Sequence, residues 1–461
     1  MIKEILFLFF IIIKCLFASK YEAIPKENGI LNSKYSHKSD DNLFFVFEHF
    51  RHGARSTCEG KIENYTDILG GKWKDSGGLT KIGKIQHYII GAKNKLRYKN
   101  FINNEYDPKE IKIYSTDYIR TINSAQMQLL GLYHNLYFYN ISNDDIIGEE
   151  KIDVNLNSII PAINLLIYKK DKFEIIYNEK FKCPIFKENI NKNKKELYDF
   201  ETMNNIRNNF NKKYYDVILN EFKLNDTKTH EGMYNFCDAF ITNFYEEDYN
   251  RLKLNEIEMK NKNFNLTDIL NICYDYYKEY FFNIEGERHA KINGILSMSK
   301  TIQKTIDIMR DRINNGTQKY ISYKSPKLLL YSGHDDTLTQ MQMLLKNAFK
   351  IEYEWVPYAS TQLFELRKYG NIFYVEIYYN DRLKLNLTFD DFEKILRKKI
   401  MSEEDIYNKC YSFRYSYYFN NIFMIIIILF FIFLLYIIIR IYLYRKKMKI
   451  KKYKKSILNI S

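Results

Sequence analysis

The segment FEHFRHGARSTCEG (Phe47–Gly60) places His49, Arg51, His52 and Arg55 within seven positions, directly after the apolar run LFFVF (Leu43–Phe47). A solvated basic turn would account for the charge alone. An anion pocket centred on a histidine would account for the spacing. Two more loops favour the pocket. STDYIR supplies Arg120, and SGHDD supplies His334, Asp335 and Asp336. Three arginines and two histidines brought together would repel one another without an anion. A phosphate dianion satisfies them, because guanidinium forks match phosphate oxygens in pairs. An imidazole beside that anion can attack phosphorus, and a neighbouring carboxyl group can protonate the leaving oxygen.

The elements around these loops predict how they meet. Leu43–Phe47 reads as a short buried strand, and IKIYST (Ile111–Thr116) alternates as another. LTKIGKIQHYIIGAKNKLRYKN (Leu79–Asn100) has helical spacing with Thr80 as its N-cap. YIRTINSAQMQLLGLYH reads as a helix, and so does KINGILSMSKTIQKTIDIMRDRI (Lys291–Ile313), which Asn314–Gly316 closes. PKLLLYSGHDDTL (Pro326–Leu338) runs strand, loop, helix, with Asp336 as a candidate cap. STQLFELRK and NIFYVEIYYN alternate as a hairpin around Tyr369–Asn371. Each chemistry-bearing loop follows a strand and opens toward a helix. The carboxyl edge of an α/β sheet is where such loops gather ligands. The predicted fold is α/β: a central, mostly parallel sheet flanked by helices, formed by residues 42–145 and 291–412. A helical cap insertion is predicted at 146–290, where helical patterns such as Lys195–Phe210 and Leu266–Tyr280 dominate.

The net charge of +14 does not point to nucleic acid. Nine of its units lie in Arg440–Ser461 and one in the first 19 residues, which leaves +4 for the rest of the chain. Residues 1–19 read as a signal peptide, with an apolar core behind Lys3 and small residues at Ala18 and Ser19. Residues 420–439 read as a transmembrane helix, preceded by Tyr415, Tyr417 and Tyr418. The basic run RKKMKIKKYKK follows it, which makes 440–461 a cytoplasmic tail beside anionic lipid. The expectation is a single-pass type I membrane protein with its bulk luminal or extracellular, in a lysosome or vacuole, the secretory pathway or at the cell surface. Six sequons precede the span, at Asn64, Asn140, Asn225, Asn265, Asn315 and Asn386, so a glycoprotein is expected. Of the six cysteines, Cys15 leaves with the signal. In an oxidising compartment the other five predict two disulfides and one thiol, and no C-x-x-C suggests a metal site.

RHGAR, LTKIGKIQ…GAKNKLRY, YSTDYIRTINSAQ and YSGHDDTL together resemble the corresponding blocks of the histidine acid phosphatases, in the same order. The branch most similar is the lysosomal and prostatic acid phosphatase type. The resemblance spans roughly Leu43–Cys410 and is patchy across the insertion. It implies hydrolysis of phosphate monoesters through a phosphohistidine, with no cofactor and no metal. By that resemblance His52 is the nucleophile and Asp335 the proton donor. Arg51, Arg55, Arg120 and His334 bind the phosphate. The family pattern RHG-x-R-x-P is broken at Thr57, where proline would stiffen the loop without reacting. Cys183 and Cys410 sit where family members carry a disulfide. Cys237 with Cys273 is the second candidate pair, with Cys58 free.

A phytase or inositol polyphosphate phosphatase is the alternative within enzymes, and Thr337 speaks against it, because many phytases of the family read His-Asp-x-Asn there. A catalytically inactive surface receptor on the same fold is the other alternative. His49, His87, His134, His230 and His289 read as packing or surface residues. Asp336 could share the acid role. The partners expected are a phosphomonoester and the membrane, not nucleic acid. The oligomeric state is open, a homodimer included.

Overall fold

The computed structural model describes residues 40–57, 77–133, 165–168, 201–245, 249–281 and 290–458, apart from 318, 320, 321 and 323. Seven strands form one sheet: β1 (Leu43–Arg51), β2 (Ile111–Thr116), β3 (Leu165–Tyr168), β4 (Leu328–Gly333), β5 (Thr361–Tyr369), β6 (Ile372–Tyr379) and β7 (Arg382–Thr388). Their order is β3-β2-β4-β1-β5-β6-β7. The first four are parallel and the last three continue antiparallel, so five of the seven point one way. Every residue of β1 is buried. That is why LFFVF is a continuous apolar run rather than an alternating one: helices cover both faces.

Helices α1 (Lys81–Arg97) and α2 (Ile119–Leu132) pack on one face over Val46, Phe50, Ile113 and Leu330. Three later helices cover the other. Between residues 201 and 281 lie α3 (Glu201–Phe222), α4 (His230–Phe244), α5 (Tyr249–Lys260) and α6 (Leu266–Phe281), which share a core built on Phe210, Phe236, Phe240, Leu270 and Tyr276. The chain returns through α7 (Ala290–Asn315). This helix and α8 (Asp335–Phe349) supply Ile302, Ile306, Met309 and Leu344, which pack on Phe45, Phe47 and Phe364. Helix α9 (Phe389–Arg397) closes that face, and α10 (Glu403–Leu458) ends the described chain.

The stretch 146–290 is not helical throughout. Leu165–Tyr168 pairs in parallel with β2 and forms the sheet edge. Four residues are too few to establish a period, and an apolar run becomes a strand when an open edge is beside it. Thr80 caps α1 as expected, accepting the amide of Gly83. The hairpin turn also falls as expected, with Gly370 at φ +59°. The cap of α8 differs from expectation. His334 takes that position, and Asp336 lies buried in the first turn.

Helix α10 contains Met424–Ile450, 27 residues long, whose most apolar 18-residue stretch has mean hydropathy 3.1, long and apolar enough to cross a membrane. It is the one such helix among the described residues. It begins four residues after, and runs beyond, the 420–439 expected. Its apolar side chains, Phe430, Phe431 and Phe433 among them, are exposed. Residues 1–19 and Cys58, Cys183, His134 and His289 lie outside the described residues.

Candidate active site

Strand register brings the three loops level. Arg51 pairs with Gly333 across β1 and β4, and Ser115 pairs with Ser332 across β2 and β4. The residues that follow, His52, His334 and Thr116, therefore leave the sheet side by side at its carboxyl edge.

The loop after β1 is tied at every turn. His52 donates its amide to the Gly333 carbonyl at 3.0 Å, and its own carbonyl accepts the amide of Ala359 at 3.1 Å. The amide of Gly53 reaches Ser124 Oγ of α2 at 3.2 Å, and that of Ala54 reaches Gln86 Oε1 of α1 at 2.8 Å. Glycine is required at position 53, because a Cβ there would lie 2.4 Å from the Gly83 carbonyl oxygen. That close approach seats the loop on the first turn of α1.

The two histidines face each other edge to face, their ring centres 5.4 Å apart. His52 Nδ1 lies 2.8 Å from the Gly53 carbonyl. A carbonyl only accepts, so Nδ1 carries the proton and Nε2 keeps its lone pair. Burial, then the charges of Arg120 and Arg51, the His334 ring and Arg55, hold the His52 imidazole well below its ordinary range. It stays neutral in mild acid. On His334, the Arg120 guanidinium donates to Nδ1 at 3.4 Å, so Nε2 is the protonated nitrogen and donates to Thr116 Oγ1 at 2.8 Å.

Two carboxylates offset the arginines. Arg51 Nη2 lies 2.6 Å from Asp335 Oδ2, while its Nη1 donates to the Val356 carbonyl at 2.7 Å. Its guanidinium also stacks over the Tyr358 ring, 4.4 Å from the centre, and beside Trp355. Arg55 Nη2 donates to Asp238 Oδ1 at 2.9 Å. Arg120 lies over the Tyr118 ring. Asp335 is partly open, with its side chain 21% exposed. Asp336 is buried and donates its amide to Asp335 Oδ1.

All six expected residues, Arg51, His52, Arg55, Arg120, His334 and Asp335, thus line one cleft edge. Asp238, Trp355 and Tyr358 carry no sequence signal. Asp238 is 183 positions from Arg55 and sits on α4, and no spacing rule links the two. Thr337 turns inward, bonding the His334 backbone and His49 Nε2. Cys237 and Cys273 are disulfide-bonded, which joins α4 to α6. Cys410 is also disulfide-bonded, and its expected partner Cys183 lies outside the described residues. Among the described residues no group of histidines, cysteines and carboxylates could hold a metal ion.

His49, His87 and His230 are packing residues. Burial lowers His49 to about 3, and lowers His87 and His230 to about 4. The sign of their effect follows. Above pH 6.5 neither state binds a proton at these sites. Below it the unfolded chain does and the folded chain does not, so stability falls as pH drops. Glu48 opposes them. Burial raises its carboxyl to about 7, so the folded state gains a proton there between about 7 and 4.5. The histidines outnumber it. Unfolding by urea at pH 7 and pH 5.5 is expected to give lower stability at pH 5.5. The loss between pH 7 and pH 5.5 should shrink by about 1 kcal/mol in His49→Gln, the linkage of one partly taken-up proton. An unchanged loss would show that His49 is protonated in the fold.

The chain is similar to human lysosomal acid phosphatase, at 26% identity over 345 residues, which cover 74% of this chain and 71% of that one. It is also similar to bovine prostatic acid phosphatase, at 26% over 354 residues, covering 74% and 78%. Among solved structures, the phytase of Citrobacter braakii superposes with a TM-score of 0.52 at 13% identity, covering 80% of this chain and 99% of that one. The phytase of D. castellii gives 0.51 at 13%, covering 83% and 86%. At that identity the superpositions speak for the fold. Residues 42–380, most of the chain, match the family whose blocks the sequence resembles, and the chain accordingly belongs to the histidine phosphatase superfamily, branch 2.

Proposed function

We propose that this protein hydrolyses phosphate monoesters, as its acid phosphatase relatives are named for doing, through a phosphohistidine on His52. The observation that carries the reading is the His52 ring. Its Nδ1 is pinned to the Gly53 carbonyl and its Nε2 is aimed into a set of three arginines and a second imidazole. Phosphate oxygens replace partners of these arginines. Arg51 and Arg120 turn from Asp335 and from His334 Nδ1 to the phosphoryl group, and Arg55 and His334 complete the cradle. Nε2 attacks phosphorus in line as the P–O ester bond breaks. Asp335, released from Arg51, gives its proton to the leaving oxygen. Water then attacks the phosphohistidine, passes a proton to Asp335 and frees inorganic phosphate. The burial that keeps His52 neutral lets this run in mild acid. The inward turn of Thr337 leaves no side chain at that position to meet a polyphosphate, which favours simple monoesters over inositol polyphosphates.

The protein is anchored, in this reading, by the apolar part of α10, with the catalytic unit luminal or extracellular and the basic tail cytosolic. Truncation near Tyr415 is expected to release an active enzyme, to be assayed against a panel of phosphomonoesters. Turnover of none of them would refute the proposed activity. Protease added to sealed vesicles should clip the 440–461 tail alone. Glycans should occupy some luminal sequons and never Asn459. A glycan on Asn459, or activity lost to protease outside the vesicle, would show the opposite orientation.

A further inference from the structure

We propose that Asp238 is a positioning residue that braces Arg55 and competes with phosphate for it, so that it sets how tightly the cradle holds phosphate. This rests on the phosphatase reading above. The two oxygens of Asp238 lie 2.9 and 3.5 Å from Nη2 and Nη1 of Arg55, a fork-to-fork arrangement. Both side chains are about nine-tenths buried, at 10% and 9% exposed. A further bond, from Arg55 Nη1 to the Ser56 carbonyl at 2.9 Å, fixes the plane of the guanidinium.

The support for Asp238 is rigid. It sits on α4, and the residue before it, Cys237, is disulfide-bonded to Cys273 of α6. Its own carbonyl accepts the Thr242 hydroxyl at 2.7 Å within the same helix. The helices between 201 and 281 therefore contribute one charged group to the cradle. That group is an anion at an anion site. Without phosphate it holds Arg55 in place and offsets the charge of one of the three arginines. With phosphate bound, it and the phosphate share one guanidinium, and their like charges repel. The carboxylate thus trades affinity for release: it lowers the hold on substrate and product alike, which is uniform binding and costs an enzyme little once substrate is abundant.

The test uses the full-length protein in detergent and inorganic phosphate as probe, with its Kd from calorimetry and its Ki against 4-nitrophenyl phosphate. Asp238→Asn keeps one acceptor for Nη2 and removes the charge. Phosphate should bind about tenfold tighter, and KM should fall with Ki, as expected for removing a like charge several ångströms away. Asp238→Ala removes the brace as well, so phosphate should bind less tightly than in Asp238→Asn. Wild-type or weaker phosphate binding in Asp238→Asn overturns the proposal. If that variant does not fold, the comparison moves to Arg55→Gln. Adding Asp238→Asn to it should strengthen phosphate binding, because the carboxylate is then left facing the anion with no guanidinium between them. No gain in the double variant overturns the proposal too. A protein that binds phosphate in this pattern and turns over no ester would refute the phosphatase reading instead.

Discussion

His52→Ala is expected to abolish turnover, with kcat falling roughly 10⁴-fold or more, the scale on which loss of a covalent nucleophile is felt. The site offers no second group to take over. His334 Nε2 is held by Thr116, and its Nδ1, which faces Arg120, belongs to the cradle around the phosphate. His49 lies beneath the cleft, held to Thr337, and His87 is bonded to Gln128 and to the Arg51 carbonyl. Binding of inorganic phosphate should persist in the variant, because the three arginines remain. A variant that keeps a tenth of wild-type turnover would mean that water, not His52, attacks phosphorus.

Asp335→Asn is the second large effect, and it should depend on the leaving group. The amide keeps the shape of the carboxyl and a bond to Arg51 but cannot donate an acid proton. With glycerol phosphate, whose alkoxide is a poor leaving group, the phosphorylation step should slow by about 10²–10⁴, the usual contribution of a general acid. With 4-nitrophenyl phosphate, whose phenolate leaves unaided, the loss should stay within about tenfold. Asp336→Asn should alter both substrates alike, and slightly, since Asp336 is buried in the first turn of α8. Equal slowing of both substrates by Asp335→Asn would assign the proton elsewhere.

What the sequence made legible was what is local. The run Leu43–Phe47, the alternation of Ile111–Thr116 and the strand before SGHDD each carry their own period. Once three such strands are parallel neighbours, their following residues must meet at one edge. That logic places His52, Arg120 and His334 together. It does not reach groups that arrive from elsewhere. Asp238 lies in CDAF, an ordinary stretch of buried helix, and only the packing of α4 over the first loop gives it a role. Trp355 and Tyr358 sit in an irregular segment between α8 and β5, and their meaning is the face each presents to Arg51. Asp336 reads as a cap because aspartate favours that position. His334 takes it because Thr337 closes the capping box from the other side. β3 is legible only beside β2.

The account stands or falls on where the phosphoryl group rests between its two chemical steps. Mixing the purified protein with ³²P-labelled 4-nitrophenyl phosphate, quenching within milliseconds into alkali and mapping the labelled peptide reads this directly. The result predicted is an alkali-stable, acid-labile label on one peptide, borne by Nε2 of His52 and absent from His52→Ala. A label on His334, or none at all while nitrophenolate is released at the full rate, would contradict it.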